Sequence, residues 1–219
     1  MRGDQMLFTY LHLAASQECT GALMAAGTTS VADETVQLPD GALPLLFPMS
    51  EVAGRLAPLV GAQRLTRVEG DRGVLIGGVS GVAPARVVII GAGVSGMNAV
   101  AVAAGTWADV VLFDSNLDKL RAADRIYQGR IRTMAANAYS IEQEVLQADL
   151  VIGAVLVPGA RASKLISNEL VSRMKRGSVL VDIAIDQGGC FEDSRPTTHA
   201  MDVVARCGSL LLHSADGQT

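Results

Sequence analysis

Short apolar runs alternate with helix-forming stretches in the second half of the chain. The runs lie at residues 87–90, 110–113, 131–134, 150–152 and 178–183, and the stretches between them at 94–104, 117–124, 141–147 and 167–174. Strands that are apolar on both faces and separated by helices are typical of a parallel sheet with helices on both sides. The fold class predicted for this half is therefore α/β, with a doubly wound parallel sheet.

The first half shows a shorter series of the same kind. A strand is predicted at residues 6–10, a helix at 16–26, a strand near 30–35 and a helix at 51–62. Ser50 is placed to cap that last helix, and Pro58 inside it would cost about 3 kcal/mol unless the helix kinks. Four apolar residues of this helix share one face, namely Val52, Leu56, Leu59 and Val60.

A glycine-rich stretch, GDRGVLIGGVSGVAPA at residues 70–85, predicts a boundary between the two halves. The division that follows has a first unit over 1–49, a connecting helix and linker over 50–70, a second unit over 71–199, and an atypical tail over 200–219. In that tail no hydrophobic period is evident, so no helix or strand is predicted there.

Composition limits the kind of partner to expect. The 219 residues are 49% hydrophobic and 18% charged, with a formal net charge of -4, which is typical of a soluble globular protein. Without a basic run we expect neither a nucleic acid nor a membrane partner. Because neither a signal peptide nor a long apolar segment is evident, we expect a cytoplasmic protein.

Three cysteines, Cys19, Cys190 and Cys207, lie far apart in the sequence. Their spacing favours neither a metal site nor a disulfide framework, so we interpret them as small buried hydrophobic residues.

A G-x-G-x-x-G motif joins a β-branched strand to a helix-forming stretch in VVIIGAGVSGMNAV. Gly91 would allow the tight turn, Gly93 the close approach of a diphosphate, and Gly96 the packing of helix on strand. Asp114 closes the next strand, 18 positions after Gly96, where it would accept hydrogen bonds from ribose hydroxyls. Its carboxylate would repel a 2′-phosphate, which favours NAD over NADP. The alternative is that the small residues only tighten a βαβ unit.

Two further residues follow predicted strands at the edge where doubly wound sheets bind ligands. Asp186 follows the apolar strand VLVDIAI, and His12 follows the strand LFTYL. Together they would supply a group that exchanges protons near neutral pH and a carboxylate to hold it. The alternatives remain that the aspartate caps a turn and that the histidine is a hydrogen-bonded core residue.

Several blocks in order resemble bacterial L-alanine dehydrogenase. The blocks, which span about residues 4–199, are LFTYLHLAA, DETVQLPDGALPLLFPMSEVAGRLA, GGVSGVAPARVVIIGAGVSGMNA, ADLVIGAVLVPGARASKL and VDIAIDQGGCFEDSRPTTH. The resemblance implies a Rossmann NAD-binding domain preceded by part of a second α/β catalytic domain. It also implies reversible, NAD-dependent oxidative deamination of L-alanine to pyruvate and ammonia, in a subunit that forms a homohexamer.

The resemblance also assigns roles to residues. His12 would act as proton donor and acceptor at the substrate carbon, and Asp186 would be the second catalytic residue. The family's cofactor contacts map onto Ser50, Val94, Ser95, Asp114, Lys119, Val155, Leu156, Ile183, Ala184, Ile185, Asp186 and Arg195. Lys119 would lie on the adenosine side, although an exposed helix lysine is often only solvated. Residue 136 is alanine where close relatives carry a serine that touches the cofactor.

Differences from the family pattern predict a chain truncated at both ends. The arginine and lysine that hold the substrate carboxylate lie upstream of the YLHLA block in the family, and the end, AMDVVARCGSLLLHSADGQT, resembles a shifted reading frame. Two alternatives stay open: a catalytically inactive NAD-binding remnant, and the NAD-binding part of a nicotinamide nucleotide transhydrogenase. The AIDQGG and YLHLA blocks favour alanine dehydrogenase over the transhydrogenase.

Overall fold

The structure is a computed structural model. It describes residues 2–13, 16–66, 72–155, 164–185 and 188–195 together with the backbone of 203–206 and 209–213. Within these ranges no helix is both long enough and apolar enough to span a bilayer.

The first unit is a small parallel α/β unit. Strand β1 (Met6–Thr9) and strand β2 (Thr29–Ala32) pair in parallel, with helix α1 (Gln17–Ala26) between them. A short 3₁₀ turn (Asp33–Thr35) follows β2 and occupies the end of the stretch predicted as a strand. The register places Thr9 beside Ala32, so the residues just beyond the two strands also lie side by side.

Helix α2 (Phe47–Arg64) differs from the predicted helix in its start. It begins at Phe47 with a proline in its first turn, so the prediction of Ser50 as N-cap is wrong. The Ser50 N–H instead donates to the Leu46 carbonyl oxygen at 3.1 Å, within the helix. The helix continues through Pro58, which is buried.

The buried face of α2 is made of small residues, which are Gly54, Ala57, Pro58 and Gly61. The apolar face seen in the sequence is exposed instead, since Val52, Leu56, Leu59 and Val60 all face solvent. A Cβ on Gly54 would lie 2.2 Å from the Ser95 carbonyl oxygen of the neighbouring helix. The two helix backbones approach so closely that larger residues have no room between them.

The second unit is the predicted doubly wound sheet, and this prediction is confirmed. Its parallel strands are β3 (Arg86–Ile90), β4 (Asp109–Asp114), β5 (Arg132–Ala135), β6 (Leu150–Gly153) and β7 (Val179–Asp182), in the order β5-β4-β3-β6-β7. The helices are α3 (Val94–Gly105), α4 (Leu117–Tyr127), α5 (Ala138–Gln147) and α6 (Asn168–Arg173). The strand order reverses at β3, so a crevice is expected between the carboxyl ends of β3 and β6.

Two strands that the sequence pattern did not predict lie in the tail. Strand β9 (Ser209–His213) pairs in parallel with β7, and strand β8 (Val203–Arg206) pairs antiparallel with β9. They extend the sheet to seven strands.

Alternate residues of each strand face opposite layers of the core. Val87 and Ile89 of β3 pack with Ala99 and Val100 of α3, whereas Val88 and Ile90 pack with residues of α5 and α6. This alternation follows from the two-residue period of a strand. Because both faces of β3, β4, β6 and β7 are covered, these strands are largely apolar and the polar residues at their ends stand out.

Candidate functional site

The turn between β3 and α3 needs glycine at two of its three motif positions for reasons internal to the chain. Gly91 has φ +111° and its N–H donates to the Phe113 carbonyl oxygen at 2.7 Å. A Cβ on Gly91 would lie 2.5 Å from the Ala154 carbonyl oxygen, and one on Gly96 would lie 1.7 Å from the Gly91 carbonyl oxygen. These glycines make the turn and let the helix pack against it.

Gly93 is different, because nothing in the described chain requires it to be glycine. Its φ of -79° is available to any residue, and a Cβ there would meet no heavy atom within 4 Å. It lies at the N-terminus of α3, where the first backbone N–H groups have no partner within the helix and the helix dipole favours an anion. The open space beside Gly93 fits the approach of a diphosphate, as the motif predicts.

Asp114 ends β4 next to this turn. Its Oδ2 accepts a hydrogen bond from the Ala92 N–H at 2.6 Å, and its Oδ1 accepts one from the Asn116 N–H at 2.7 Å. A carboxylate offers about four acceptor positions, so about two stay available for hydroxyl groups. The half-buried carboxylate is thus fixed against the glycine turn and still able to accept further donors.

Helix α4 begins at Leu117, three residues after Asp114, and carries Lys119 in its first turn. The Asn116 side chain caps this helix by accepting from the Asp118 N–H at 2.9 Å. Lys119 is exposed on this turn.

On the other side of the turn, the segment after β7 contains three predicted cofactor contacts. The Ile183 N–H donates to the Gly153 carbonyl oxygen at 2.9 Å, and Ile183 is half-buried. Ala184 and Ile185 are buried, with 7% and 6% of their surface exposed.

The remaining predicted cofactor contacts have different placements. Ser50 lies in the first turn of α2, one turn before the Gly54 position that touches α3, and so on the same helix face. Val155 follows β6 and is half-buried, and Arg195 is exposed. Leu156 and the predicted catalytic Asp186 lie outside the described residues. The pairing of His12 with Asp186 therefore stays a prediction.

His12 lies just beyond β1 in a strained backbone conformation. Its φ of +47° is unusual for a residue other than glycine, and such strain is common at functional positions. The conformation is held by Glu34, whose Oε1 accepts from the His12 N–H at 2.8 Å and whose Oε2 accepts from the Leu11 N–H at 3.2 Å. Glu34 thus fixes the backbone at the predicted proton-transfer residue.

Sequence reasoning missed Glu34 because the contact depends on strand register. The β1–β2 pairing brings residues just beyond Thr9 next to residues just beyond Ala32. The available signal was a carboxylate near the end of the second predicted strand, residues 30–35, which the structure places two residues beyond the end of β2.

Asp182 is the second residue that sequence reasoning missed. It is fully buried at the end of β7, and its carboxylate binds the chain that follows. Oδ1 accepts from the Ala184 N–H at 3.0 Å, and Oδ2 accepts from the Cys190 N–H at 2.7 Å, the Phe191 N–H at 3.3 Å and the Ser194 hydroxyl. The signal in the sequence was an aspartate inside the apolar run VLVDIAI.

Of the two cysteines that the structure describes, Cys190 agrees with the interpretation as a core residue, whereas Cys19 is only half-buried. Cys190 is fully buried, and burial, with the nearby Asp182 carboxylate second, raises the pKa of its thiol to about 12. A thiol with this pKa is protonated and unreactive at neutral pH. Cys207 lies outside the described residues.

A cavity of about 390 Å³ lies at the opposite edge of the sheet. Its lining consists of Ala83, Pro84, Arg86, Asp109, Gln147, Asp149 and Lys175. The charged groups bind one another: Arg86 pairs with Asp109 at 3.0 Å and Lys175 with Asp149 at 3.3 Å. Parallel sheets bind ligands at the carboxyl edge, so this network is best explained as tying the strand beginnings together.

Two models of one protein family match the chain. The model described as "Alanine dehydrogenase/PNT, N-terminal domain" matches residues 1–53, and "Alanine dehydrogenase/PNT, C-terminal domain" matches residues 57–216. The chain is 65% identical over 199 residues to alanine dehydrogenase of Mycobacterium tuberculosis (strain CDC 1551 / Oshkosh) and 55% identical over 200 residues to that of Halomonas elongata. Each match covers 91% of this chain and 54% of the relative, so the chain spans about half the length of these curated relatives.

Solved structures agree with the fold. A structure of L-alanine dehydrogenase has a TM-score of 0.89 and 49% identity, covering 97% of this chain and 59% of that one. A transhydrogenase from Sinorhizobium meliloti has a TM-score of 0.78 at 24% identity, covering 97% and 62%, and shows the shared fold alone.

The strand order and the glycine turn define the class, a Rossmann-type α/β protein. The two family models together match most of the length of the chain. The chain therefore belongs to the alanine dehydrogenase/PNT family.

Proposed function

We propose that this chain binds NAD at the carboxyl edge of its sheet and is part of an enzyme that oxidises L-alanine to pyruvate and ammonia, reversibly. The observation that carries the proposal is the glycine turn. Of its three motif glycines, Gly93 alone has open space where a Cβ would be, and this space lies at the start of α3 next to the Asp114 carboxylate. The relatives named alanine dehydrogenase support the same reaction.

Different residues of the chain would bind different parts of NAD. Backbone N–H groups at the start of α3, including those of Val94, Ser95 and Gly96, would bind the diphosphate. Asp114 would accept the ribose hydroxyls through its remaining acceptor positions and would repel a 2′-phosphate. The other contacts proposed are Ser50, Lys119, Val155, Leu156, Ile183, Ala184, Ile185 and Arg195.

NAD, when bound, accepts the hydride from the substrate carbon. Loss of the hydride leaves an imine carbon, to which water adds before ammonia departs. His12 would take a proton from this water and give one to the departing amine, since an imidazole can do both near neutral pH. Asp186 would be the second catalytic residue. Glu34 would keep the His12 backbone in place by the two hydrogen bonds described above.

The direct test combines calorimetric titration of the purified chain with NAD and NADP and an assay of NADH absorbance with L-alanine. Binding of NAD together with alanine-dependent NADH formation supports the whole proposal. Binding without turnover would instead indicate a non-catalytic NAD-binding module. Failure to bind NAD would contradict both readings.

Replacing Asp114 with alanine is expected to weaken NAD binding by roughly 10- to 100-fold, because a hydrogen bond to a charged group contributes about 1.5–3 kcal/mol. Preference for NAD over NADP should fall as well, since the charge that repels a 2′-phosphate is gone. Calorimetric titration of both nucleotides measures the two effects. Asp118→Ala is the matched control, because this exposed carboxylate pairs only with Arg121 among its described contacts. Unchanged NAD affinity in Asp114→Ala would show that the ribose role is wrong.

A further inference from the structure

Asp182 connects the end of β7 to a loop that returns toward the sheet. We name the described residues 183–185 and 188–194 the Asp182 loop. Four donors to the Asp182 carboxylate are found among the described residues, and all belong to this loop, one near its beginning and three near its end. Three of these donors share Oδ2 and one binds Oδ1, so the loop binds both oxygens of the carboxylate.

The loop fits its anchor closely. Gly189 has φ +77°, and a Cβ there would lie 2.6 Å from Asp182 Oδ2. The Gly189 N–H donates to the Ala184 carbonyl oxygen at 2.9 Å, which closes the loop on itself. The loop also packs on the neighbouring strand, because a Cβ on Gly153 would lie 2.9 Å from the Cys190 Cβ.

A second group holds the loop from outside. Lys164 Nζ donates to the Phe191 carbonyl oxygen at 2.7 Å and to the Gly188 carbonyl oxygen. The Leu165 N–H donates to the Cys190 carbonyl oxygen at 2.8 Å. Lys164, Leu165 and Asp182 therefore all bind the end of the loop. Of these three residues, only Asp182 also binds the beginning of the loop, through the Ala184 N–H.

The register shows where the loop lies relative to the glycine turn. Ile90, Phe113, Gly153 and Asp182 form one row across the sheet. Gly91 and Asp114 come directly after this row on β3 and β4, whereas Asp182 ends β7, two strands from β3 in the opposite direction. Since strands lie about 4.8 Å apart, Asp182 is roughly 10 Å from the end of β3 along this edge.

This layout relates the loop to one half of a dinucleotide. If the diphosphate lies at the glycine turn and the adenosine ribose at Asp114, the remaining half must extend over the ends of β6 and β7. There it meets the beginning of the Asp182 loop. Resting on the proposed function, we propose that Asp182 is a positioning residue that holds this loop for the nicotinamide half of NAD.

The proposal is tested by comparing the affinities of the full chain for NAD and for ADP-ribose, which lacks the nicotinamide. Asp182→Asn keeps the shape of the side chain but turns one acceptor into a donor that faces backbone N–H groups. We expect NAD affinity to fall about tenfold or more and ADP-ribose affinity to stay within about twofold, because only the nicotinamide side is disturbed. A purely structural role would weaken both ligands alike.

Asp149→Asn is the matched control. Asp149 is a buried aspartate at the opposite edge of the same sheet, where its Oδ2 accepts from the Arg86 N–H at 2.9 Å. This variant is expected to lower thermal stability and leave the ratio of the two affinities unchanged. Ser194→Ala removes a single donor to Asp182 and is expected to change the ratio in the same direction by a smaller factor. Should Asp182→Asn not fold, Ser194→Ala decides the test.

A readout without any cofactor completes the test. Hydrogen exchange of the Cys190 and Phe191 amides, and alkylation of the buried Cys190 thiol, should be faster in Asp182→Asn than in Asp149→Asn. Equal weakening of both ligands, an unchanged ratio, or equal affinity of the unmodified chain for NAD and ADP-ribose would overturn the positioning role alone. If the unmodified chain binds neither ligand, the proposed function fails and the positioning role fails with it.

Discussion

Replacing His12 with alanine is expected to lower alanine-dependent NADH formation by at least about 100-fold, since a positioned acid–base group contributes about 10²–10⁴-fold to a rate. NAD affinity should change by less than about twofold. His12 follows β1 of the two-stranded sheet, whereas the glycine turn and Asp114 belong to the seven-stranded sheet. Steady-state rates and calorimetric NAD titration, in a preparation of the chain that turns over alanine, measure the two quantities.

Glu34→Gln is the companion variant for His12. Its amide oxygen can still accept one backbone hydrogen bond, but its amide nitrogen cannot accept the other. We expect a smaller loss of turnover than in His12→Ala, again with NAD affinity preserved. Equal loss of turnover and NAD affinity in His12→Ala would instead show that the histidine is structural.

Local patterns were sufficient for the sheet and the glycine turn. The four strands β3, β4, β6 and β7 are buried on both faces, so their sequences are apolar runs that a single pass along the chain can recognise. Strand β5, at the edge of the sheet, is partly exposed. The turn is equally local, because the atoms that exclude a Cβ at Gly96 belong to Gly91, five residues earlier. Asp114 could be placed because the motif fixes the spacing to the end of the next strand.

The face of α2 could not be predicted because local pattern and tertiary packing disagree. Its larger apolar residues share one side, which a periodicity argument assigns to the core. The structure buries the opposite side, where Gly54 and Gly61 allow close approach to α3 and to Leu150 of β6. Backbone approach decided which side is inside, and this depends on residues far away in the sequence.

The contacts of Asp182, Glu34 and the tail strands could not be predicted for the same reason, because they depend on the folded arrangement of the chain. Asp182 lies among apolar residues, and its partners Cys190 and Ser194 become donors to it only once the loop folds back. Glu34 reaches the His12 N–H through the pairing of two strands. Strand β9 forms next to β7, an edge that exists only after the sheet is assembled. The role of the cofactor residues and the boundary near residues 70–85 stay predictions.

Replacing Gly96 with alanine is expected to remove NAD binding and to lower the free energy of unfolding by roughly 2–4 kcal/mol. The added Cβ would lie 1.7 Å from the Gly91 carbonyl oxygen. That oxygen is part of the backbone, so the contact is relieved only if the turn itself opens. Urea denaturation and calorimetric NAD titration measure the two losses. Native stability in Gly96→Ala would contradict the packing described for this turn.

Gly93→Ala is expected to weaken NAD binding without the loss of folding stability that accompanies it in Gly96→Ala. A Cβ on Gly93 meets nothing of the described chain, and its φ of -79° suits alanine, so the free energy of unfolding should change by less than about 1 kcal/mol. The methyl group would nevertheless occupy the space through which a diphosphate reaches the α3 N-terminus, so NAD affinity should fall at least about tenfold. Gly105→Ala, at the far end of the same helix and equally open, should change neither quantity appreciably. If Gly93→Ala bound NAD as tightly as the unmodified chain, the diphosphate would have to lie elsewhere, because no ligand atom could then be in close contact with this turn.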